Sequence, residues 1–448
     1  MIGVDLNVTV QINLFGGSVA NLGNDQQREW LEGIFKRGEL GSFLLTERGA
    51  GVLSGLIVVT EARFNKSRQE FDLHSPAPVE VSAKYWISQG YTARWGVVIA
   101  KLLLEDGTDK GAHAFIVDLH STGVFRKDMP KKTCFNSLDN CEIWFDHVAL
   151  PRTALLSGIS FVDANGDYQL VDPKVPFSFY RVAQRLLSGR IALSCCALSR
   201  IQTTVSQVEK FAAGRNMPVM GSKGLTTPLL QLPSLQAALA RFYSQVHVLD
   251  AYLDFLRAQF SDDRVSLDPT LVHQIACAKI LVIDFALRTL ADLKGRVGAY
   301  SLMFDGAFDL RHTEIYYLIR FAEGDCGILL QKMARDALRP VSSPLGLLRS
   351  ICTLPIAFVK SCFASTNSLT QSHFAQQRDT TLLALKLLGV SGPKLTSSWL
   401  NNHALIEKIA ERFAFITIHE CVSSRSSKRN LDIPLQFFAQ LINSRFQE

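Results

Sequence analysis

Charge is scarce in this chain. Only 20% of its 448 residues are Asp, Glu, Lys or Arg, whereas 47% are hydrophobic. That ratio excludes an intrinsically disordered protein, which combines high charge with few apolar residues. The 47 basic residues exceed the 41 acidic ones by only six. A chain-wide balance of this kind lacks the clustered basic face that a nucleic-acid binder needs. Glycine occurs 29 times without a three-residue period, which excludes collagen. The nine cysteines are odd in number, form no C-x-x-C, and have Cys195 and Cys196 as their closest pair. Neither a disulfide framework nor a zinc ribbon fits that spacing, so reduced thiols in an intracellular protein are expected. The ten histidines form no H-x-x-x-H or H-x-H, and no metal is expected. A G-x-S-x-G nucleophile elbow is missing as well.

Addresses and membrane spans are also wanting. Met1-Ile2-Gly3-Val4-Asp5 has neither the basic nor the apolar region of a secretory signal, and no Arg- and Ser-rich presequence follows. The chain ends Phe446-Gln447-Glu448, without a Ser-Lys-Leu peroxisomal address. No uninterrupted apolar run reaches the roughly 18 residues of a membrane span, and Thr353 to Phe363 is broken by Pro355 and Lys360. What the composition leaves is a globular protein of two or three domains, long enough to bury a large core without disulfides or metal.

The pattern divides the chain. Residues 1–41 are helical from Asp25 onward, with Trp30, Leu31, Ile34 and Phe35 at helical spacing and Gly38 and Gly41 as stops. Residues 42–160 read as strands. Leu56-Ile57-Val58-Val59-Thr60, Val97 to Leu104, Ala114 to Val117 and Ile143-Trp144-Phe145 are separated by turn residues such as Asp106-Gly107 and Asn65 to Arg68. Without helices between them, such strands predict an antiparallel barrel or sandwich. A loop from Ser157 to Phe177 holds Asn165-Gly166. Residues 175–340 then carry long amphipathic stretches, Arg185 to Phe211, Leu235 to Phe260 and Leu271 to Leu293, as in a helical bundle. A second helical segment, 341–448, is interrupted at the basic, Ser-rich Ser423 to Asn430.

Few residues invite chemistry by type alone. Gly49-Ala50-Gly51 before Ser54-Gly55 resembles a dinucleotide loop, but a strand-like run follows where that motif requires a helix. His113 and His147 sit in strand-like runs as polar residues. Glu323-Gly324-Asp325 precedes a helical pattern, which makes Asp325 an N-cap. Both acids could simply decorate a helix start, where the dipole favours them. Alternatively, a Glu in a turn at the mouth of an apolar bundle could act as a general base. Burial would raise its pKa toward the value that abstraction of a weakly acidic C–H proton needs.

Taken in order, several segments resemble the acyl-CoA oxidase branch of the acyl-CoA dehydrogenase flavoproteins. They are Phe15-Gly16-Gly17 with Asn21-Leu22-Gly23, then Thr46-Glu47-Arg48-Gly49-Ala50-Gly51 with Gly55-Leu56, then Gln69-Glu70-Phe71 with Ala83-Lys84-Tyr85-Trp86. Gly111 to Val117, Asp139-Asn140, Phe145 to Arg152 and Phe321-Ala322-Glu323-Gly324-Asp325 continue the series. The resemblance covers roughly residues 8–340 and implies a helical segment, a central β-domain and a helical bundle. It also implies FAD-dependent α,β-dehydrogenation of a fatty acyl-CoA, with oxygen reoxidising the flavin to give peroxide, in a peroxisomal homodimer. A cytoplasmic location is the alternative. Carried over by position, Glu323 is the base, Thr46 and Ser88 meet the flavin, and Arg215 reaches the FAD of a neighbouring subunit.

This sequence also departs from the family pattern. Ala50 stands where the family has His, and Ser88-Gln89 where it has a Gly-Gly pair that lets backbone approach the flavin. Gly295-Arg296-Val297-Gly298-Ala299-Tyr300 stands where the family has a C-G-G-H-G-Y turn, and the stretch from Tyr300 to Glu323 is a few residues longer than the family's. The chain is expected to begin inside the family's first helical domain and to be short at its end. Three readings therefore stand: an acyl-CoA oxidase, a non-catalytic relative that binds acyl-CoA or serves as an interaction module, and a dehydrogenase passing electrons to a partner flavoprotein.

Overall fold

The computed structural model describes residues 6–51, 58–174, 179–182, 184–219, 221, 223–260, 268–303, 307–308, 310–341, 343–362, 369–388 and 393–429. Ser54, Gly55, Leu56, Ile57, Val175, Pro176, Asn430 and both termini lie outside these residues. The chain forms two compact units, 1–189 and 190–448.

The first unit opens with three helical pieces: α1 (Thr9–Gly16, wound as a π-helix), α2 (Gly17–Leu22) and α3 (Asp25–Lys36). The sequence predicts α3, and its start is fixed by a capping box. The Asn24 side chain accepts from the Gln27 amide, and the Gln27 side chain accepts from the Asn24 amide. The two earlier pieces are not foreseen. Their Phe15-Gly16-Gly17 sequence has poor helix propensity, and tertiary packing forms them instead. Phe15 is fully buried, and a Cβ at Gly41 would stand 2.2 Å from its ring.

A six-stranded sheet follows. It runs β1 (Gly41–Leu44), β5 (Trp95–Leu103), β2 (Glu61–Asn65), β3 (Glu70–His74) and β9 (Val148–Pro151), with β6 (Asp109–Asp118) also paired to β5. A three-stranded sheet, β4 (Lys84–Ser88), β8 (Asn140–Phe145) and β7 (Val124–Asp128), faces it across a shared core. The predicted sandwich is present, but its larger sheet is mixed, because β5 pairs in parallel with both β1 and β2. The cause lies in β5, which is buried on both faces. Val98, Ala100 and Leu102 join Phe64, Phe71, Phe115 and Phe145 between the sheets. Val97 and Ile99 face Phe15, Val19, Leu31 and Ile34 of the N-terminal helices. This two-sided burial also explains its unbroken apolar run. The strand expected at Leu56 to Thr60 is not found over its described part, 58–60. A small hairpin, β10 (Ser160–Val162) and β11 (Tyr168–Leu170), turns at Asn165-Gly166, and α4 (Val79–Ser82) and α5 (Phe179–Val182) complete the unit.

The second unit is helical. It contains most of α6 (Gln184–Gly214), then α7 (Pro233–Phe260), α8 (Pro269–Val297), α9 (Leu310–Phe321), α10 (Cys326–Leu338), α11 (Pro344–Cys362), α12 (Leu369–Leu387), α13 (Pro393–Asn401) and α14 (His403–Arg429). A short hairpin, β12 (Asn216–Pro218) with β13 (Thr226–Pro228), follows α6. One core joins Ala276 and Ile280 of α8, Leu330 and Met333 of α10, Leu383 of α12 and Ile409 of α14. The break expected at Ser423 is absent, since α14 continues to Arg429. The stretch 269–302, which contains α8, is long and apolar enough to cross a membrane by length and composition. The lack of an uninterrupted run hides this, because Lys279 and Asp284 punctuate it. Its apolar window is 72% buried within the fold, as in a core helix.

Candidate active site

In the first unit, the loop after β1 is built around a buried ion pair. Lys84 Nζ lies 2.8 Å from Glu47 Oε1, and both side chains are fully buried. Nζ also donates to the Ile99 carbonyl at 2.6 Å. The Glu47 carboxylate accepts from the Val59 amide at 2.7 Å, the Thr60 amide at 3.0 Å and the Thr60 hydroxyl at 2.6 Å. These donors and the ammonium hold it below the usual carboxylate range, although burial alone would raise it. Residues 58–60 are thus not a strand, since the Val59 and Thr60 amides serve Glu47. Glu47 and Lys84 are structural here, and they fix Thr46.

Thr46 is half-buried, and its carbonyl accepts from the Tyr85 amide at 2.8 Å. Arg48 pairs with Glu142 at 2.9 Å and lies over the Tyr85 ring. Ala50 is buried. Ser88 ends β4. Its carbonyl accepts from Ser42 Oγ at 2.8 Å, and its hydroxyl from Asn140 Nδ2 at 3.1 Å. Thr46 and Ser88 thus lie on neighbouring segments, joined by the Glu47–Lys84 bridge. Gln89 has a left-handed backbone, with φ at 62°, a conformation that glycine favours. Its side chain turns inward to Gln11 Oε1 and the Gly41 carbonyl, both at 3.0 Å, and only 3% of the residue is exposed.

In the second unit, Glu323 occupies a turn between α9 and α10. Its φ is 56° and that of Gly324 is 98°. A side chain at Gly324 would be strained by that backbone and would meet Arg190 Nη2 at 3.0 Å. Asp325 is the N-cap foreseen from sequence, accepting from the amides of Gly327 at 2.8 Å and Ile328 at 3.2 Å. Arg190 of α6 donates to the Glu323 carbonyl at 2.7 Å. Lys279 of α8 donates to the carbonyls of Arg320, Ala322 and Gly324.

Glu323 as a residue is partly exposed, but its Oε2 is closed off from solvent and has no hydrogen-bond partner. Burial pushes the carboxyl up to about 7, against the opposing pull of Arg190 and Lys279. Such a group ionises around neutral pH, with one oxygen unspent on the protein. It is poised to take a proton.

Arg215 is exposed just beyond the end of α6. It lies 25 residues past Arg190, a helical rise of about 37 Å, so it is not part of the Glu323 cluster. His113 is a core residue with both ring nitrogens engaged, by the Gly111 carbonyl at 2.9 Å and the Tyr168 hydroxyl at 3.0 Å. His147 is exposed and bonds Asp72 at 2.8 Å, which raises its pKa. It stacks on His74 near Asp146, with ring centroids 4.2 Å apart and planes within 11°. Parallel rings keep their in-plane lone pairs from converging on one point. Arg190 and Lys279 are the charged residues around the Glu323 turn that sequence reasoning missed. For Lys279 a signal existed: a lysine amid Ile275, Ala276, Cys277, Ala278 and Ile280 has no solvated face.

No protein-family model matches the chain. A peroxisomal acyl-coenzyme A oxidase 3 of Arabidopsis thaliana is 24% identical over 350 residues, which is 74% of this chain and 50% of that protein. The chain thus spans about half the length of the curated relatives first matched. Among solved structures, acyl-CoA oxidase 1 of Arabidopsis thaliana superposes with a TM-score of 0.77 at 20% identity, covering 98% of this chain and 69% of the other. Acyl-CoA oxidase-2 of Caenorhabditis elegans, bound with FAD, ascaroside-CoA and ATP, gives 0.77 at 18% identity, covering 97% and 67%. In sequence and in fold, the chain is acyl-CoA oxidase-like.

Proposed function

We propose that the protein is an acyl-CoA oxidase that desaturates a fatty acyl-CoA at its α,β bond, with Glu323 as the proton-abstracting base. The observation that carries this reading is the Glu323 carboxylate oxygen, buried, unpartnered and tuned to about 7. An α-proton beside a thioester is weakly acidic. A base that is ionised at neutral pH yet not spent on hydrogen bonds suits its removal.

The conformation of Gln89 supports the reading that the first unit holds FAD. Its backbone is in the left-handed region that glycine favours, and its side chain turns inward to the Gly41 carbonyl. Thr46 and Ser88 would hold the flavin, and Arg215 would reach the FAD of a second subunit in a homodimer. FAD, when bound, supplies the acceptor for the hydride leaving the substrate β-carbon. The chain's own part is to hold Glu323 at the α-carbon, to exclude water from its carboxylate, and to keep the proton it takes on Oε2. Oxygen is the proposed final acceptor and the peroxisome the proposed location, the latter by likeness to the relative named peroxisomal.

The test is spectroscopic. Purified protein should carry, or take up, FAD with its visible absorption band, and an acyl-CoA should bleach that band with peroxide release in air. A protein that stays colourless after FAD is added sinks the enzyme reading in favour of the non-catalytic one. Bleaching without peroxide favours the dehydrogenase.

A further inference from the structure

Lys279 lies within α8 with no exposed surface. The helix needs only an apolar residue there to complete its core, and an ammonium in such a place is costly unless it is satisfied. Its partners are all backbone oxygens of one turn: the carbonyls of Gly324 at 2.5 Å, of Arg320 at 3.4 Å and of Ala322. Those three bracket Glu323, which sits between the end of α9 at Phe321 and the start of α10 at Cys326. The carbonyls at a helix C-terminus lack partners within the helix, and a glycine in the left-handed region commonly resolves this. Here a lysine reaching across from α8 caps them. Two residues of the turn have positive φ, Glu323 at 56° and Gly324 at 98°.

We propose that Lys279 is a positioning residue: by capping the carbonyls on either side of Glu323, it holds that turn in the conformation that presents the carboxylate, and its charge keeps the carboxylate ionisable. The role in turnover rests on the reading of Glu323 as base. The other charged or titratable groups around the turn are Arg190 from α6, Arg320 from α9, and Asp325 and Cys326 at the start of α10. Arg320 is drawn toward Asp284 at 3.6 Å, and Asp325 is spent on capping α10. Lys279 and Arg190 remain as the cations that act on Glu323. Arg190 holds the Glu323 carbonyl from one side, whereas Lys279 holds the carbonyls before and after it.

The experiment reads protonation and order without substrate. The infrared carboxyl band of Glu323, identified by its loss in Glu323→Gln, is titrated in the unmodified protein, in Lys279→Met and in Lys279→Arg. Amide hydrogen exchange is followed across residues 322–325. The unmodified midpoint should fall near about 7. In Lys279→Met it should rise by about one pH unit or more, and exchange in the turn should quicken about tenfold or more. Lys279→Arg, which keeps the charge, should return the midpoint toward the unmodified value. An unchanged midpoint together with unchanged exchange in Lys279→Met overturns the proposal. If that variant does not fold, nitrogen NMR of the Lys279 ammonium in the unmodified protein decides. Its protons should exchange slowly with water, as burial and the bonds to the carbonyls require, and exchange as fast as that of a solvated lysine ammonium overturns the proposal. These readouts require no turnover, so they judge Lys279 whether or not the protein oxidises acyl-CoA.

Discussion

Replacing Lys84 by Met removes the cation from a carboxylate that has no water to fall back on. Glu47 is fully buried, and in the variant it keeps the Val59 and Thr60 donors but loses its counter-charge. Breaking a buried pair from one side costs about 3–5 kcal/mol. Four of the five tryptophans, Trp30, Trp86, Trp95 and Trp144, lie in the first unit. Urea unfolding followed by tryptophan fluorescence therefore reports mainly on that unit. With a slope of about 2–3 kcal/mol per molar urea, the midpoint should drop by about 1–2 M at pH 7. The loss should shrink on acidification. With Lys84 present, Glu47 sits below 4.5 and contributes stability above that pH, which is lost as pH falls through its folded value. Without Lys84, burial leaves its folded pKa raised, so the variant is penalised above that value and relieved below it. Adding Glu47→Gln to Lys84→Met removes the stranded charge and should recover about 1–3 kcal/mol. A single variant within about 0.5 kcal/mol of the parent, or a double variant no better than the single, would refute the account of this loop.

Three further outcomes follow from the same reasoning. Asp325→Ala should cost α10 about 1–2 kcal/mol, because the Gly327 and Ile328 amides lose their cap; Trp399 fluorescence in urea reads the unit concerned. Gly324→Ala should destabilise the same unit by more than about 1 kcal/mol and slow any flavin bleaching, since alanine resists a φ of 98°; a melt like the parent's would contradict the described turn. His113 is buried neutral, with its pKa pushed down to about 4 by burial. The unfolded chain takes up that proton near 6.5 and the folded one only near 4. Stability should thus fall as pH drops between those values, by up to about 3–4 kcal/mol, and the fall should flatten in His113→Gln.

Much of the fold was legible because its pattern is local. The run Val97 to Leu104 announces a strand buried on both faces, and Asp106-Gly107 announces the hairpin after it. Asn24 and Gln27 mark the start of α3 with a side-chain pair three residues apart. The parallel pairing of β5 with β1 and β2 was not legible, since it depends on which elements cover each face of β5. Residues 58–60 look like a strand by β-branching, yet the Val59 and Thr60 amides are claimed by a carboxylate 12 or 13 positions earlier. At the candidate site, Glu323 stands in a recognisable E-G-D turn. Its raised pKa comes from burial, opposed by Arg190 and Lys279, which are 133 and 44 residues distant in sequence. Lone cations inside apolar helices carry no motif. Only the missing solvated face around Lys279 hints that its charge has a partner.

The role proposed for the buried Glu323 carboxylate is removal of the α-proton of an acyl-CoA. Anaerobic mixing of the FAD-loaded protein with a long-chain acyl-CoA, monitored at the flavin band, tests it most directly when the parent is set beside Glu323→Gln. The account predicts that the parent bleaches, with a rate that climbs through about pH 7 as Glu323 ionises. The variant should bind the acyl-CoA yet leave the band intact. Bleaching by Glu323→Gln at the parent's rate would contradict it.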